Sequence, residues 1–268
     1  MFWALRGGGG NFGVVTALTL RLHPVATVLS GAIVFPWEQA TSVLTGLADV
    51  LRNAPDELTA QTAILTAPDG NPAVFLLPAW SGDSQQGATA IDALTALGSP
   101  IMAQVAPMTY QAMISQNDSL VPAGLSWSIR SRNLPGLTPT SIAALVLAGG
   151  HRTSPASMIS IHHFHGAASR IPVADTAFGQ RHDHLMVEIV AAWRPDDDGA
   201  PHRAWAGDLD AALTQDALPG GYPNLFGPDA TGQADRAYGS NTARLLAAKT
   251  HYDPDHVFSA TGLPSTTG

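Results

Sequence analysis

Histidines, arginines and a run of glycines are the residues of this chain whose types and spacing could do chemistry. Residues 157–166 (Ser-Met-Ile-Ser-Ile-His-His-Phe-His-Gly) alternate as a strand does and end in a cluster of His162, His163 and His165. Side chains two apart in a strand share a face, so His163 and His165 point the same way, and His182 and His184 do so too if a second strand starts that early. Two such pairs facing each other would offer imidazole nitrogens to a transition metal, with Glu188 the one carboxylate in reach. The plainer reading is structural or surface histidines, with no metal. The run Arg6-Gly7-Gly8-Gly9-Gly10-Asn11-Phe12-Gly13-Val14-Val15 lets backbone approach a ligand and presents N–H groups, as phosphate-cradling loops do. It is neither G-x-G-x-x-G nor a Walker loop, and a tight turn between packed elements explains it equally well. Arg6, Arg170 and Arg181 could meet anionic ligand groups or serve as surface and interface pairs.

The elements that must position these groups follow from hydrophobic period. Residues 15–22 alternate, with Leu18, Leu20 and Leu22 on one side, which predicts a half-buried strand closed by His23-Pro24. A strand over 30–35 leads to a helix over 38–53, carried by Val43, Leu44, Leu47, Val50 and Leu51. Strands over 58–67 and 73–79 flank the turn Pro68-Asp69-Gly70-Asn71, a hairpin signal. A helix over 85–97 follows, and residues 101–135 read as a long irregular segment near a substrate mouth, with Trp127 and Arg130 as candidate contacts. A helix over 141–149, strands over 157–166 and 185–193, an acidic turn over 195–199, helices over 200–215 and 235–251 and a tail complete the chain. This layout predicts an α+β fold, an antiparallel sheet with helices packed on one face.

Composition removes several function classes. Asp+Glu 21 outnumber Lys+Arg 13 for a net charge of −8, which argues against nucleic-acid binding. Absence of cysteine excludes disulfides and thiol chemistry. Without an apolar run of about 18 residues no membrane span is expected, and the N-terminus has no signal-peptide pattern, so the expected location is cytoplasmic.

Three blocks resemble the berberine bridge enzyme-like FAD-linked oxidases, within the vanillyl-alcohol oxidase superfamily. The first is residues 2–16, Phe-Trp-Ala-Leu-Arg followed by the glycine run. The second is His165-Gly166 with Asp175-Thr176-Ala177-Phe178-Gly179-Gln180-Arg181, where Gln180 stands in place of the usual histidine. The third, and most specific, is Tyr222-Pro223-Asn224 with Tyr238-Gly239-Ser240-Asn241, Arg244-Leu245, Lys249 and Tyr252-Asp253-Pro254-Asp255-His256-Val257-Phe258. The resemblance implies that residues 1–24 and 221–262 belong to an FAD-binding domain, that 25–220 form the substrate domain roofing the flavin, and that 263–268 are a disordered tail. It implies FAD contacts at Gly8, Gly9, Gly10, Asn11, Phe12, Gly13, Val14 and Asn224, and a substrate contact at His165 beside the Trp127 and Arg130 read from the 101–135 segment. The family's N-terminal half, with its pyrophosphate loop and flavin-tethering histidine, is absent, and Ser259-Ala260-Thr261-Gly262 replace the Asn-x-Asn stretch usual after Phe258.

Family members pass a hydride to the flavin while a base removes a proton. By resemblance Tyr222 matches that base, and His163 stands where a coupled Asp or Tyr is usual, as a partner able to take the tyrosine proton. Read locally, Tyr222 is a packed turn aromatic beside Gly220-Gly221. The expected function is therefore the substrate-binding and C-terminal portion of an FAD-dependent oxidoreductase acting on an alcohol or C–H bond of a small metabolite. Its expected partner is an FAD-binding domain or subunit. The competing expectations are a cofactor-free binding protein or cyclase, and a histidine-based metalloprotein.

Overall fold

The computed structural model describes residues 1–25, 27–116, 123–227 and 230–264. A short helix α1 (Phe2–Leu5) is followed by β1 (Val28–Pro36), α2 (Ala40–Arg52), the hairpin β2 (Leu58–Thr66) and β3 (Pro72–Trp80), and α3 (Ser84–Thr95). Then come β4 (Met102–Met108), α4 (Tyr110–Ser115), β5 (Ser126–Leu134), α5 (Pro139–Gly150), β6 (Met158–Phe164), β7 (His184–Trp193) and α6 (Gly199–Leu213). The last helices are α7 (Thr231–Ala237) and α8 (Thr242–Tyr252). The strands form one seven-stranded sheet in the order β4-β1-β3-β2-β6-β7-β5, and each neighbouring pair is antiparallel.

Period two sends alternate residues to opposite sides of this sheet. Ile33, Phe35, Leu58, Ile64, Val74, Leu76, Ile159, Val187 and Ile189 face one way and meet Leu44 and Leu47 of α2, Leu94 of α3, Leu145 of α5 and Leu209 of α6 in a single core. The side chains between them face the other way, onto the side we call the open face. Local signals fix the helix starts: Asp83 accepts from the amides of Gln85 and Gln86, Thr138 and Ser141 form a capping box, and Asp198 accepts from Ala200 N. Gly31 is demanded by close approach, since a Cβ there would lie 1.9 Å from the Gln104 carbonyl oxygen on β4.

Three expectations are corrected. Residues 14–25 form no strand, and Leu18 and Leu22 stand 76% and 87% exposed; an alternating segment needs a neighbour to pair with, and none of the described strands lies beside it. Within 101–135 the structure has β4, α4 and β5, with residues 117–122 outside the described part. These strands hid because they form the two sheet edges: β4 is mostly exposed, and β5 spends an inward position on Arg132, whose guanidinium donates at 2.7 and 2.8 Å to both carboxylate oxygens of Asp210. The helix expected over 235–251 breaks at Tyr238–Asn241, where Gly239 takes φ +50° and the Asn241 amide donates to the carbonyls of Val173 and Thr176. The end of the expected tail, 265–268, lies outside the described residues.

Candidate active site

The cross-strand register decides which chemistry-bearing residues can meet. His163 lies on the helix side of β6, where it lines a cavity of about 260 Å³ with Ala48, Leu51 and Arg52 of α2 and with Leu137. His165 stacks on it with ring centroids 3.9 Å apart and planes 8° from parallel. Burial first, then the neighbouring His165, pulls the His163 pKa down to about 4, so its ring is neutral at pH 7. Phe164 pairs with His184, and their rings stack at 4.7 Å. His184 borders the same cavity as His163 while its ring stacks on Phe164, and among the described residues no group of three or more His, Asp or Glu is placed to hold a metal.

Tyr222 belongs to the Phe164 side as well. Phe178 bridges them, 5.7 Å from Phe164 and 6.3 Å edge-on from Tyr222, while Asn224 Nδ2 donates to the Tyr222 hydroxyl at 3.1 Å. Among the described residues no hydrogen bond or ring contact joins Tyr222 to His163. The partner that strand alternation offers on the open face is the preceding histidine. His162 Nε2 lies 3.3 Å from Glu188 Oε2 and 3.1 Å from Ser160 Oγ, and Gln61 Nε2 donates to Ser160 at 3.1 Å. With its proton on Nε2, His162 donates to the Glu188 carboxylate. This chain crosses β2, β6 and β7, and its His162 and Glu188 are half-buried. The sequence signal for it was the alternation itself: Glu188 aligns with the even-numbered residues of β6, not with His163 and His165.

The glycine run folds on itself. A Cβ on Gly7 would meet Phe178, one on Gly9 would meet Thr261 and one on Gly10 would meet Ala260. Gly8, Asn11 and Phe12 are buried; Phe12 packs with Ala4, Ala177, Tyr238 and Leu245 in a second, smaller core shared by the two ends of the chain. Lys249, itself buried, closes this unit by donating to the Asn11 carbonyl at 2.9 Å and pairing with Asp253. That ammonium, aided by the amides of Phe258 and Val257, holds the Asp253 carboxyl down at about 2. The candidate arginines are also engaged: Arg6 donates to Asp175 O, Arg170 pairs with Asp56, and Arg181 donates to Ala168 O and Thr176 Oγ1.

Of the residues expected at FAD, Gly8, Asn11 and Phe12 are buried in internal packing, while Gly10 is exposed. Gly13 meets nothing within 4 Å of a Cβ position, Val14 is exposed, and Asn224 lines the open pockets beside Phe226. Of the expected substrate contacts, Trp127 and Arg130 line one concavity, and His165 lies with His163 instead. No helix among the described residues is long and apolar enough to cross a membrane.

Comparison with known proteins agrees with this architecture. Residues 221–261 match the family described as berberine and berberine like. The chain is 28% identical to an FAD-linked oxidoreductase of Dictyostelium discoideum, over 96% of this chain and 56% of that protein. It is 29% identical to the FAD-linked oxidoreductase aurO of Gibberella zeae, over 96% of this chain and 52% of that one. Its fold superposes on berberine bridge enzyme from Eschscholzia californica with a TM-score of 0.82 at 20% identity, covering 100% of this chain and 61% of the other. The chain spans little more than half the length of the curated relatives it matches. The chain is thus similar over nearly its whole length to FAD-linked oxidoreductases, shares its fold with berberine bridge enzyme, and carries the berberine and berberine like segment at residues 221–261.

Proposed function

We propose that the chain is the substrate-binding and C-terminal portion of an FAD-dependent oxidoreductase that oxidises an alcohol or C–H bond of a small metabolite. The observation that carries this reading is the Gln61–Ser160–His162–Glu188 chain on the open face, away from the four core helices. Bound FAD would supply the hydride acceptor, with its ring end held by Gly13, Val14 and Asn224. This chain's residues would handle the proton. Glu188 accepts it from the substrate oxygen, while His162, beside Ser160, orients the carboxylate through its Nε2–H. Tyr222, with its hydroxyl engaged by Asn224, stands at the other end of the aromatic row as a second proton acceptor. The diphosphate end of FAD requires a binding portion that the glycine run does not provide, in the same polypeptide or a partner subunit. The exposed apolar side chains of Val14, Leu18, Leu20 and Leu22 support such a covering partner.

The test is a visible absorption spectrum of the chain incubated with FAD and desalted, alone and co-expressed with the FAD-binding portion of a relative. Flavin bands that survive desalting in the complemented protein and bleach anaerobically with an alcohol substrate are expected. Retention of flavin in neither sample would overturn the proposal.

A further inference from the structure

Beside the Glu188 face, the sheet edge at β5 carries a concavity of about 540 Å³, within the range of about 300–1,000 Å³ typical of small-ligand sites. One wall is apolar, made by Trp127, Ile129 and Phe226. The other is cationic, made by Arg130 of β5 and Arg203 of α6. The Arg203 guanidinium carbon lies 5.6 Å from the Trp193 ring centroid. A guanidinium stacked on an indole uses its face and keeps its N–H edge for an acceptor, and among the described residues Arg203 has no ion pair or hydrogen bond.

We infer that this concavity is a carboxylate-recognising subsite and that the ligand it takes is an aromatic carboxylic acid. The planar fork of Arg203 matches a carboxylate through two parallel hydrogen bonds, and Trp127 and Phe226 offer faces for a ring. Ile129 lines the hollow, and two residues along β5, about 7 Å, Ser131 pairs with Glu188. An acid anchored at Arg203 with one or two rings thus spans the distance to the proton-accepting face. Naming this acid as the substrate rests on the oxidative reading above, whereas the binding does not.

Calorimetric titration of the purified chain with 2-naphthoate and with its neutral counterpart 2-naphthylmethanol separates the two. The naphthoate is expected to bind at least about tenfold more tightly, a preference that Arg203→Gln removes without changing the melting temperature, because that side chain is exposed. Arg52→Gln, which removes a distant surface charge paired with Asp49, should leave it intact. Equal affinity for the two probes, no binding of either, unchanged naphthoate affinity in Arg203→Gln, or an equal loss in Arg52→Gln would each overturn the subsite. Binding of 6-(hydroxymethyl)-2-naphthoate, which carries an oxidisable alcohol as well as the carboxylate, with no flavin reduction in the complemented protein would overturn the oxidative reading and leave the subsite standing.

Discussion

On the side of the sheet covered by α2, α3, α5 and α6, the strands present Ile33, Leu58, Ile64, Leu76 and Val187, all almost wholly buried. On the other side the same strands present Gln61, Ser160, His162 and Glu188, joined to one another across three strands. A two-residue period writes both faces into one stretch of chain, so each strand carries alternating instructions, one set for folding and one for chemistry. The lesson is that the two sets can be mutated separately, and that a histidine's role follows from the parity of its position more than from membership of a cluster.

The largest expected effect comes from the open face. In the flavin-complemented protein Glu188→Gln should lower kcat by about 10²–10⁴-fold while circular dichroism and the melting temperature stay near those of the parent; retained turnover would remove the chemistry from this face. The covered face should behave in the opposite way. Leu47→Ala, at a position fully buried, should cost about 2–5 kcal/mol in urea unfolding, whereas Gln61→Ala across the sheet should cost no more than about 1.5 kcal/mol. Similar losses at the two positions would mean that the open face is as structural as the other.

The smallest effect sharpens the comparison at a titratable group on the covered face. His163 sits among the covering helices with its pKa near 4, while an unfolded imidazole titrates near 6.5. Across that interval the unfolded chain binds a proton that the folded chain refuses, so stability falls as pH drops from about 6.5 toward 4. His163→Phe should flatten this slope, read as the difference between urea midpoints at pH 4.5 and pH 7. An unchanged slope would place the acid sensitivity elsewhere.

Much of this was legible in the residues. The 58–67 and 73–79 hairpin, the α2 stripe of Val43, Leu44, Leu47 and Leu51, and the 157–166 strand stand where the periodicity puts them, within a residue or two, because each buries one face against a large core. Edge strands were not legible: β5 reads Ser-Trp-Ser-Ile-Arg-Ser-Arg-Asn-Leu, and only its bidentate bond to Asp210 makes Arg132 an inward residue. The strand over 15–22 fails for the converse reason, a correct pattern with no described neighbour to pair with. At the site, the alternation already put His163 on the helix side of β6, but Tyr222 is placed through Phe178, a contact between residues 44 apart in sequence that no local pattern encodes.

The Lys249 closure has a consequence for the order in which the molecule assembles. Its bond to the Asn11 carbonyl joins residues 238 positions apart, and the Asn11 side chain reaches Thr261 across 250. Contacts of such separation form late, after shorter loops have closed. During synthesis residues 1–12 therefore wait while the whole sheet forms behind them, and find their place only once α8 has left the ribosome.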